Sequence, residues 1–383
     1  DGLPALVSCG PTSRVAFQNP YDFDHSDSNM PTGRGSELNP PNRFQVPRAE
    51  LDSEHLEFDD DFWAETANLK TEFLSDLSKS IISENDSPDV AFRYSLNAYR
   101  GCEHGCAYCY ARPTHEYLGL NAGLDFESKI YVKEQAPELF REFLSRPKYR
   151  PELIVMSGVT DCYQPAERKY RLTRRCLEVA QEFRQPIGVI TKNALIVRDL
   201  DLLALMASQK LIQANISLTS LDQELTSTLE PRTSTPAAKL RAIRALTDAG
   251  VPVRVMVAPV IPGLNDSSIP TVLEAAREAG ALTASYILLR LPQTVLPVFQ
   301  EWLERTIPTQ RERIEHLIRN TRRGDLNSSQ FSERMKGTGA VAEQIQQTFR
   351  IFRRKLGYAD QMPELDFSNF EHPRPKSGQL TLF

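Results

Sequence analysis

Between residues 90 and 291 short β-branched runs alternate with longer stretches of helical periodicity. The runs are "AFRYSLN", "ELIVMS", "PIGVIT", "LIQANISL", "VPVRVMVAPV" and "ASYILLRL", and from the second to the sixth they recur at the spacing of βαβ units. Between them, "RKYRLTRRCLEVAQEF", "RDLDLLALMAS" and "PAAKLRAIRALTDAG" read as amphipathic helices. The last opens on Pro236 and closes on Gly250, residues suited to a first helical turn and a C-terminal cap. Strands joined by helices predict a parallel sheet with right-handed crossovers. A closed eight-fold barrel takes ~250 residues. The alternating region has about 200, so the expected fold is α/β, a partial, splayed (β/α)6 barrel, with an open doubly wound sheet as the alternative.

The flanks break this pattern. Residues 1–48 are rich in Pro, Asn, Ser, Gly and Asp, and the acidic "ELDSEHLEFDDDFW" follows, so 1–88 reads as an irregular N-terminal extension before a barrel over 89–294. Over 295–372 the chain turns helical and basic, with a run of arginines from Arg305 to Arg354 expected to solvate helix faces. Residues 373–383, "PRPKSGQLTLF", read as a flexible linker with apolar side chains at its end.

Composition narrows the classes. With 40% hydrophobic and 25% charged residues and no apolar run long enough to span a bilayer, the chain reads as a soluble protein without membrane insertion. No basic segment leads into an apolar one near the start, so a cytoplasmic location is expected. The net charge of −5 argues against coating nucleic acid by bulk electrostatics but leaves room for local basic surface. Six cysteines (Cys9, Cys102, Cys106, Cys109, Cys162, Cys176), three of them clustered, read as metal ligands in a reducing compartment rather than a disulfide framework.

The cluster is "YRGCEHGCAYCYARP", in which Cys102, Cys106 and Cys109 follow C-x3-C-x2-C directly after the first predicted strand. They therefore sit on a loop at a strand's C-terminal end, where α/β barrels carry their sites. Three thiolates can hold zinc with His104 or His115 as fourth ligand, which would make a structural site, or three irons of a cubane cluster whose fourth iron stays open. Zinc ribbons and fingers bring two separated ligand pairs, and no second pair is present.

C-x3-C-x-aromatic-C after the first strand of a six-stranded partial barrel, with Tyr108 as the aromatic, resembles the signature of the radical S-adenosylmethionine (SAM) superfamily. That resemblance implies a [4Fe-4S] cluster on Cys102, Cys106 and Cys109. It also implies SAM on the open iron, a reductant such as flavodoxin or ferredoxin, and cleavage to methionine and a 5′-deoxyadenosyl radical that takes hydrogen from a substrate. Carried onto the other strand ends, it makes Thr160 and Asp161 of "MSGVTDCYQPAE" the expected partners of the SAM amino group and Lys192 of "ITKN" the partner of its carboxylate. Ser217 of "ISLTS" is expected at a ribose hydroxyl or the carboxylate, with Glu230 and Arg232 of "LEPRTS" beyond it. Val260, Ile261 and Gly263 of "VAPVIPGLND" are expected beside adenine.

Tyrosines on both sides of the last cysteine, together with "TKN", are similar to the spore photoproduct lyase branch, whose members are often labelled DNA repair photolyases; the similarity covers roughly residues 90 to 290. In that branch the matching tyrosines are linked to a hydrogen-donor cysteine, which makes Tyr108 and Tyr110 a candidate radical relay. Gly158 holds the donor's place here, and Cys162, four residues on, is either a substitute donor or an ordinary loop residue. Cys176, on a predicted helix, reads as core. The tail's Gln379, Leu380, Leu382 and Phe383 resemble the motif by which bacterial replication and repair proteins bind the sliding clamp. The expected function is thus radical SAM chemistry on a nucleic acid lesion or modified base. The alternatives are the same chemistry on a protein, RNA or small molecule, and a zinc-stabilised binding module tethered to the clamp.

Overall fold

The structure, a computed structural model, describes residues 34–36, 40, 42 and 70–371; the acidic segment, Cys9 and the clamp-like tail lie outside the described residues. Its strands are β1 (Glu72–Ser75), β2 (Ile82–Glu84), β3 (Tyr94–Leu96), β4 (Tyr99–Arg100), β5 (Lys129–Val132), β6 (Ile154–Met156), β7 (Ile187–Thr191), β8 (Ile212–Ser217), β9 (Val253–Val260) and β10 (Thr283–Leu288). The longer helices are α1 (Ala136–Leu144), α2 (Leu172–Phe183), α3 (Leu200–Ser208), α4 (Pro236–Asp248), α5 (Ile269–Glu278), α6 (Val295–Thr306), α7 (Arg311–Asn320) and α8 (Gly339–Lys355). No helix among the described residues is long and apolar enough to cross a membrane.

All six predicted runs form strands, β3 and β6 to β10, which lie side by side in chain order and all parallel. A doubly wound sheet reverses strand order at a switch point, and none occurs here. The sheet stays open, ending at β10 on one side and at β2, antiparallel to β3, on the other. This is the splayed (β/α)6 arrangement, and it gathers six strand C-termini along one rim.

Local chemistry explains the elements. In β9 the valines 253, 255 and 257 are fully buried and alternate with partly buried Arg254, Met256 and Ala258, the period-two pattern of a strand with a helix-covered face. For α4, the Thr235 hydroxyl accepts from the Ala238 amide (3.3 Å), Pro236 fills the first turn, and Gly250 turns left-handed (φ 80°) beyond the last turn. The stretch predicted as one helix over 168–183 breaks at Arg171 (φ 52°), because the Glu167 carboxylate turns inward to accept the Thr173 amide at the start of α2.

Four short strands carry no period that the sequence could display. β1 pairs with β5 and β5 with β4 in a small second sheet, and β2 joins the main sheet, so residues assigned to the N-terminal extension are structurally part of the barrel. The C-terminal extension is also built in. Val295, Phe299, Trp302, Ile314 and Ile318 share one apolar cluster with Cys106, Tyr108 and Ile261. Arg322, expected to be solvated, is buried and donates to the carbonyls of Leu289 (2.7 Å), Glu333 (2.7 Å) and Arg334 (3.1 Å).

Candidate cofactor site at the strand ends

The cysteine loop leaves β4 through two left-handed glycines, Gly101 (φ 80°) and Gly105 (φ 64°), where a Cβ would strike the Phe126 carbonyl and the Glu127 carboxylate. Its carbonyls are gathered by one fully buried arginine. Arg112 donates to Cys106 O from Nε (3.1 Å) and Nη2 (3.0 Å), and to Gly105 O (3.2 Å), Ala122 O (3.1 Å) and Gly123 O (2.9 Å). Its charge is met by buried Glu127 (3.1 Å). The Cys102 amide donates to Phe126 O (2.9 Å) and the Ala107 amide to Leu229 O (3.1 Å), so the loop is tied on both sides.

The N-terminal arm closes over this loop. The Arg34 amide donates to Glu127 Oε1 (2.7 Å), its guanidinium to the Glu127 carbonyl (2.6 Å), and a Cβ on Gly35 would stand 1.7 Å from Gly105 O. Only glycine allows that approach. Residues 34–36, expected to be irregular leader, therefore form part of the loop's packing.

Cys102, Cys106 and Cys109 are free thiols, the first two buried and the third half-buried. Burial raises all three above the ordinary cysteine range, so they are neutral until a metal displaces their protons. The donor set fits a cubane. Three thiols on one loop would each hold a different iron, and no three His, Cys, Asp or Glu side chains among the described residues converge as one ion requires. Of the histidines offered as zinc ligands, His104 has both ring nitrogens facing other side chains, and His115 has Nε2 engaged and Nδ1 buried without a partner among the described residues. His104 Nδ1 faces Asp161 (3.5 Å) and Nε2 faces Asn193 (3.3 Å), while His115 Nε2 faces Lys129 O (2.9 Å).

Beside the loop lies a buried charge cluster. Lys192 Nζ donates to Ser217 Oγ (2.9 Å), Ala258 O (2.9 Å) and Glu230 Oε1 (3.1 Å), and it stands 5.5 Å from the Tyr108 ring. Glu230 also accepts from Tyr108, Thr219 and, at Oε2, Lys239 (2.9 Å). Burial alone would raise the Glu230 carboxyl, but Lys192 and Lys239 outweigh it and hold the group below the usual carboxylate range. Two lysines against one carboxylate leave this cluster with one net positive charge.

Of the predicted residues, Tyr108, Lys192, Ser217 and Glu230 thus converge, with Val260 and Ile261 buried close by. Asp161 is occupied as a tie: it accepts from Thr191 Oγ1 (2.7 Å), the Tyr163 amide (2.8 Å) and the Lys192 amide (2.7 Å), and faces His104. Thr160 donates to Tyr99 O (3.2 Å) and Arg232 to Glu103 (3.0 Å), both turned to the protein. Gly263, expected beside adenine, has its Cα packed against the C-terminal extension. It is a left-handed turn residue (φ 81°) packed under α7, where a Cβ would meet Leu317 at 2.6 Å.

The donor position also resolves. A Cβ on Gly158 would meet Ser95 Cβ at 2.8 Å and Oγ at 2.9 Å, so a thiol has no room there. Cys162 is buried in the main core with its sulfur toward Ile190 O (3.9 Å), an ordinary core thiol like Cys176, and burial raises its pKa. Tyr110, half exposed, donates to the Gly158 carbonyl (2.9 Å).

Sequence reasoning missed Arg112, whose partners are mostly backbone carbonyls 6 to 11 residues away that no side-chain pattern marks, and Arg34 and Glu127, which lie 93 residues apart. It also missed Lys239, which had a signal: a lysine on the stripe it shares with Ala242, Ile243 and Leu246 is a buried, paired charge.

Residues 96–276 match the radical SAM superfamily. The chain is 39% identical over 240 residues to "Uncharacterized protein Rv2578c" of Mycobacterium tuberculosis, covering 61% of this chain and 71% of that one. To "Uncharacterized protein MJ0683" of Methanocaldococcus jannaschii it is 29% identical over 199 residues, covering 52% and 71%. Its fold is similar to spore photoproduct lyase. A cysteine-to-serine mutant of that enzyme aligns with TM-score 0.54 and 16% identity over 82% of this chain and 86% of the other. The enzyme complexed with dinucleoside spore photoproduct aligns with TM-score 0.51 and 14% identity over 74% and 79%. With the three-cysteine loop at the head of six parallel strands, this chain belongs to the radical SAM superfamily, whose [4Fe-4S] cluster and SAM are its cofactors.

Proposed function

We propose that this enzyme holds its cluster on Cys102, Cys106 and Cys109 and abstracts hydrogen from a lesion or modified base of a nucleic acid. The observation that carries the reading is the pinned loop of three free thiols beside the Lys192–Glu230–Lys239 cluster. The bound cofactors supply one-electron cleavage of the sulfonium and hydrogen abstraction. The chain's own residues orient and neutralise. Lys192, the more exposed of the two lysines, would meet the carboxylate of SAM, and Glu230 would still keep Lys239, Tyr108 and Thr219. Ser217, hydrogen-bonded to Lys192, lies beside the same group. The backbone at Val260 and Ile261, whose side chains are fully buried, would pack against adenine, and Tyr110 would border the substrate side.

Position 158 is glycine and offers no thiol for hydrogen return, which favours a different fate for the substrate radical than in spore-lesion repair, or a substrate outside nucleic acid. Free cysteines fit a reducing cytoplasm, with flavodoxin or ferredoxin as electron source. The tail's Gln379, Leu380, Leu382 and Phe383 give a second proposed partner, the sliding clamp. The decisive experiment incubates reduced, reconstituted enzyme with SAM and deuterated oligonucleotides. Label arriving in 5′-deoxyadenosine identifies the substrate, and label arriving only from peptides or small molecules rejects the nucleic acid.

A further inference from the structure

Arg290 follows β10 on the rim of strand ends, and its guanidinium lies 5.5 Å from the centre of the Tyr110 ring. Tyr110 is next to the cluster ligand Cys109, so Arg290 stands at the open side of the site. Its setting is unusual for a half-buried cation. Among the described residues it makes no ion pair, its Nε is buried without an acceptor, and Nη1 reaches only the Met335 sulfur at 3.9 Å. The neighbouring carboxylate, Asp89, is taken by Arg334 (2.6 Å), and Arg322 gives its protons to carbonyls. Burial and the adjacent Arg334 both press on the Arg290 charge.

A guanidinium with an unanswered buried donor is costly until an anion meets it, and its planar fork matches a phosphate. Exposed rings stand close by: Tyr110 is half exposed, and so is Phe331, with the Arg334 guanidinium 4.6 Å from its centre. Arginines among exposed aromatic faces hold a strand by its phosphates and stacked bases. A lone carboxylate would use the charge and leave the rings bare. On an acidic protein (net charge −5) such binding must rest on a few discrete contacts.

We propose that Arg290 anchors one phosphodiester of a nucleic-acid substrate whose bases stack on Tyr110 and Phe331; this rests on the nucleic-acid reading of the same site. The test titrates reconstituted holoenzyme against a short fluorescent single strand, as DNA and as RNA, over a range of salt. Arg290→Gln should weaken binding about tenfold or more and flatten the plot of log affinity against log salt by about one unit. Arg290→Lys should recover part of the affinity, keeping the charge without the fork. A second arm needs no protein variant. In strands carrying a neutral methylphosphonate at each linkage in turn, one position should weaken the wild-type complex comparably, and at that position Arg290→Gln should lose nothing further. Unchanged affinity and salt slope in Arg290→Gln, with no sensitive linkage, would overturn the anchor while leaving the nucleic-acid reading standing. Wild-type protein that binds neither strand would overturn both. Displacement by a nucleoside monophosphate as effective as by the strand would assign Arg290 to a free phosphate ester and overturn the strand.

Discussion

Among the described residues, most charged groups on the floor of the site are paired and the cation on its rim is not, although Glu103 Oε2 and His115 Nδ1 on the floor are also buried without a partner. On the floor Arg112 has an acceptor for each nitrogen, and both oxygens of Glu127, Asp161 and Glu230 receive hydrogen bonds. On the rim Arg290 has a buried nitrogen with none, and Tyr110 and Phe331 leave half their surface to water. A satisfied network in low dielectric holds one geometry, which a loop must keep to receive a cluster. An unsatisfied group is completed by whatever binds. The difference sets the paired Arg112, Glu127, Asp161 and Glu230 apart from Arg290, the group that the proposed substrate would complete.

The largest effect should come from the ligands. Replacing Cys102, Cys106 or Cys109 by Ala should abolish the cluster, read as iron and sulfide after anaerobic reconstitution, whereas Cys162→Ala and Cys176→Ala should keep full occupancy because both thiols lie in the core. Full iron in Cys106→Ala would remove the floor from the comparison altogether.

Next come the pairs beneath the ligands. Arg112→Met strands the Glu127 carboxylate, 1% exposed, and should cost about 3–5 kcal/mol in urea unfolding of the cluster-free protein. Glu230→Gln should cost similarly by stranding Lys239, and it adds a pH signature. Because the folded carboxyl is held below its ordinary value of about 4.5, the unfolded chain takes up the proton first. Its contribution is complete above about pH 4.5 and is lost as pH falls below that value, so Glu230→Gln should flatten the acid limb of the stability profile. An acid limb identical to the parent's would show that the two lysines do not depend on Glu230.

A smaller effect tests the boundary between floor and rim. Gly158→Ala should destabilise by about 1–3 kcal/mol through the clash with Ser95, and Ser95→Gly in the same chain should restore most of it. No change in melting temperature for Gly158→Ala would reopen this position to a donor thiol.

How far these regions could be read from sequence follows from the range of their interactions. The six barrel strands announced themselves because β-branched runs bounded by helices are a local signal, and the ligands because three cysteines in eight positions are too. β1, β2, β4 and β5 are two to four residues long and exist only through pairing, so no period marks them. Tyr108 was named by the cysteine motif and Lys192, Ser217 and Glu230 by the family resemblance carried onto strand ends, but their mutual contacts were not legible, since Lys192 and Glu230 are 38 residues apart. Arg34 and Glu127, 93 residues apart, were invisible for the same reason. For Gly263 and Asp161 a strand-end position says nothing about whether a neighbouring element has already claimed the residue. α7 claims the first; Thr191, Tyr163 and Lys192 claim the second.

The smallest expected change sharpens the comparison most. Arg290→Gln removes a charge that Asp89, already paired with Arg334, offsets only in part, and a buried donor that no acceptor answers. Leaving such a donor unsatisfied costs roughly 1–3 kcal/mol, partly offset here by the packing of the guanidinium on Tyr110. The cluster-free variant should therefore unfold within about 0.5 kcal/mol of the parent, or at slightly higher urea. A floor residue behaves the other way, as Arg112→Met would show in the same assay. If Arg290→Gln instead lost about 2 kcal/mol or more, Arg290 would belong to the scaffold, and the rim would no longer be a region left for a ligand to complete.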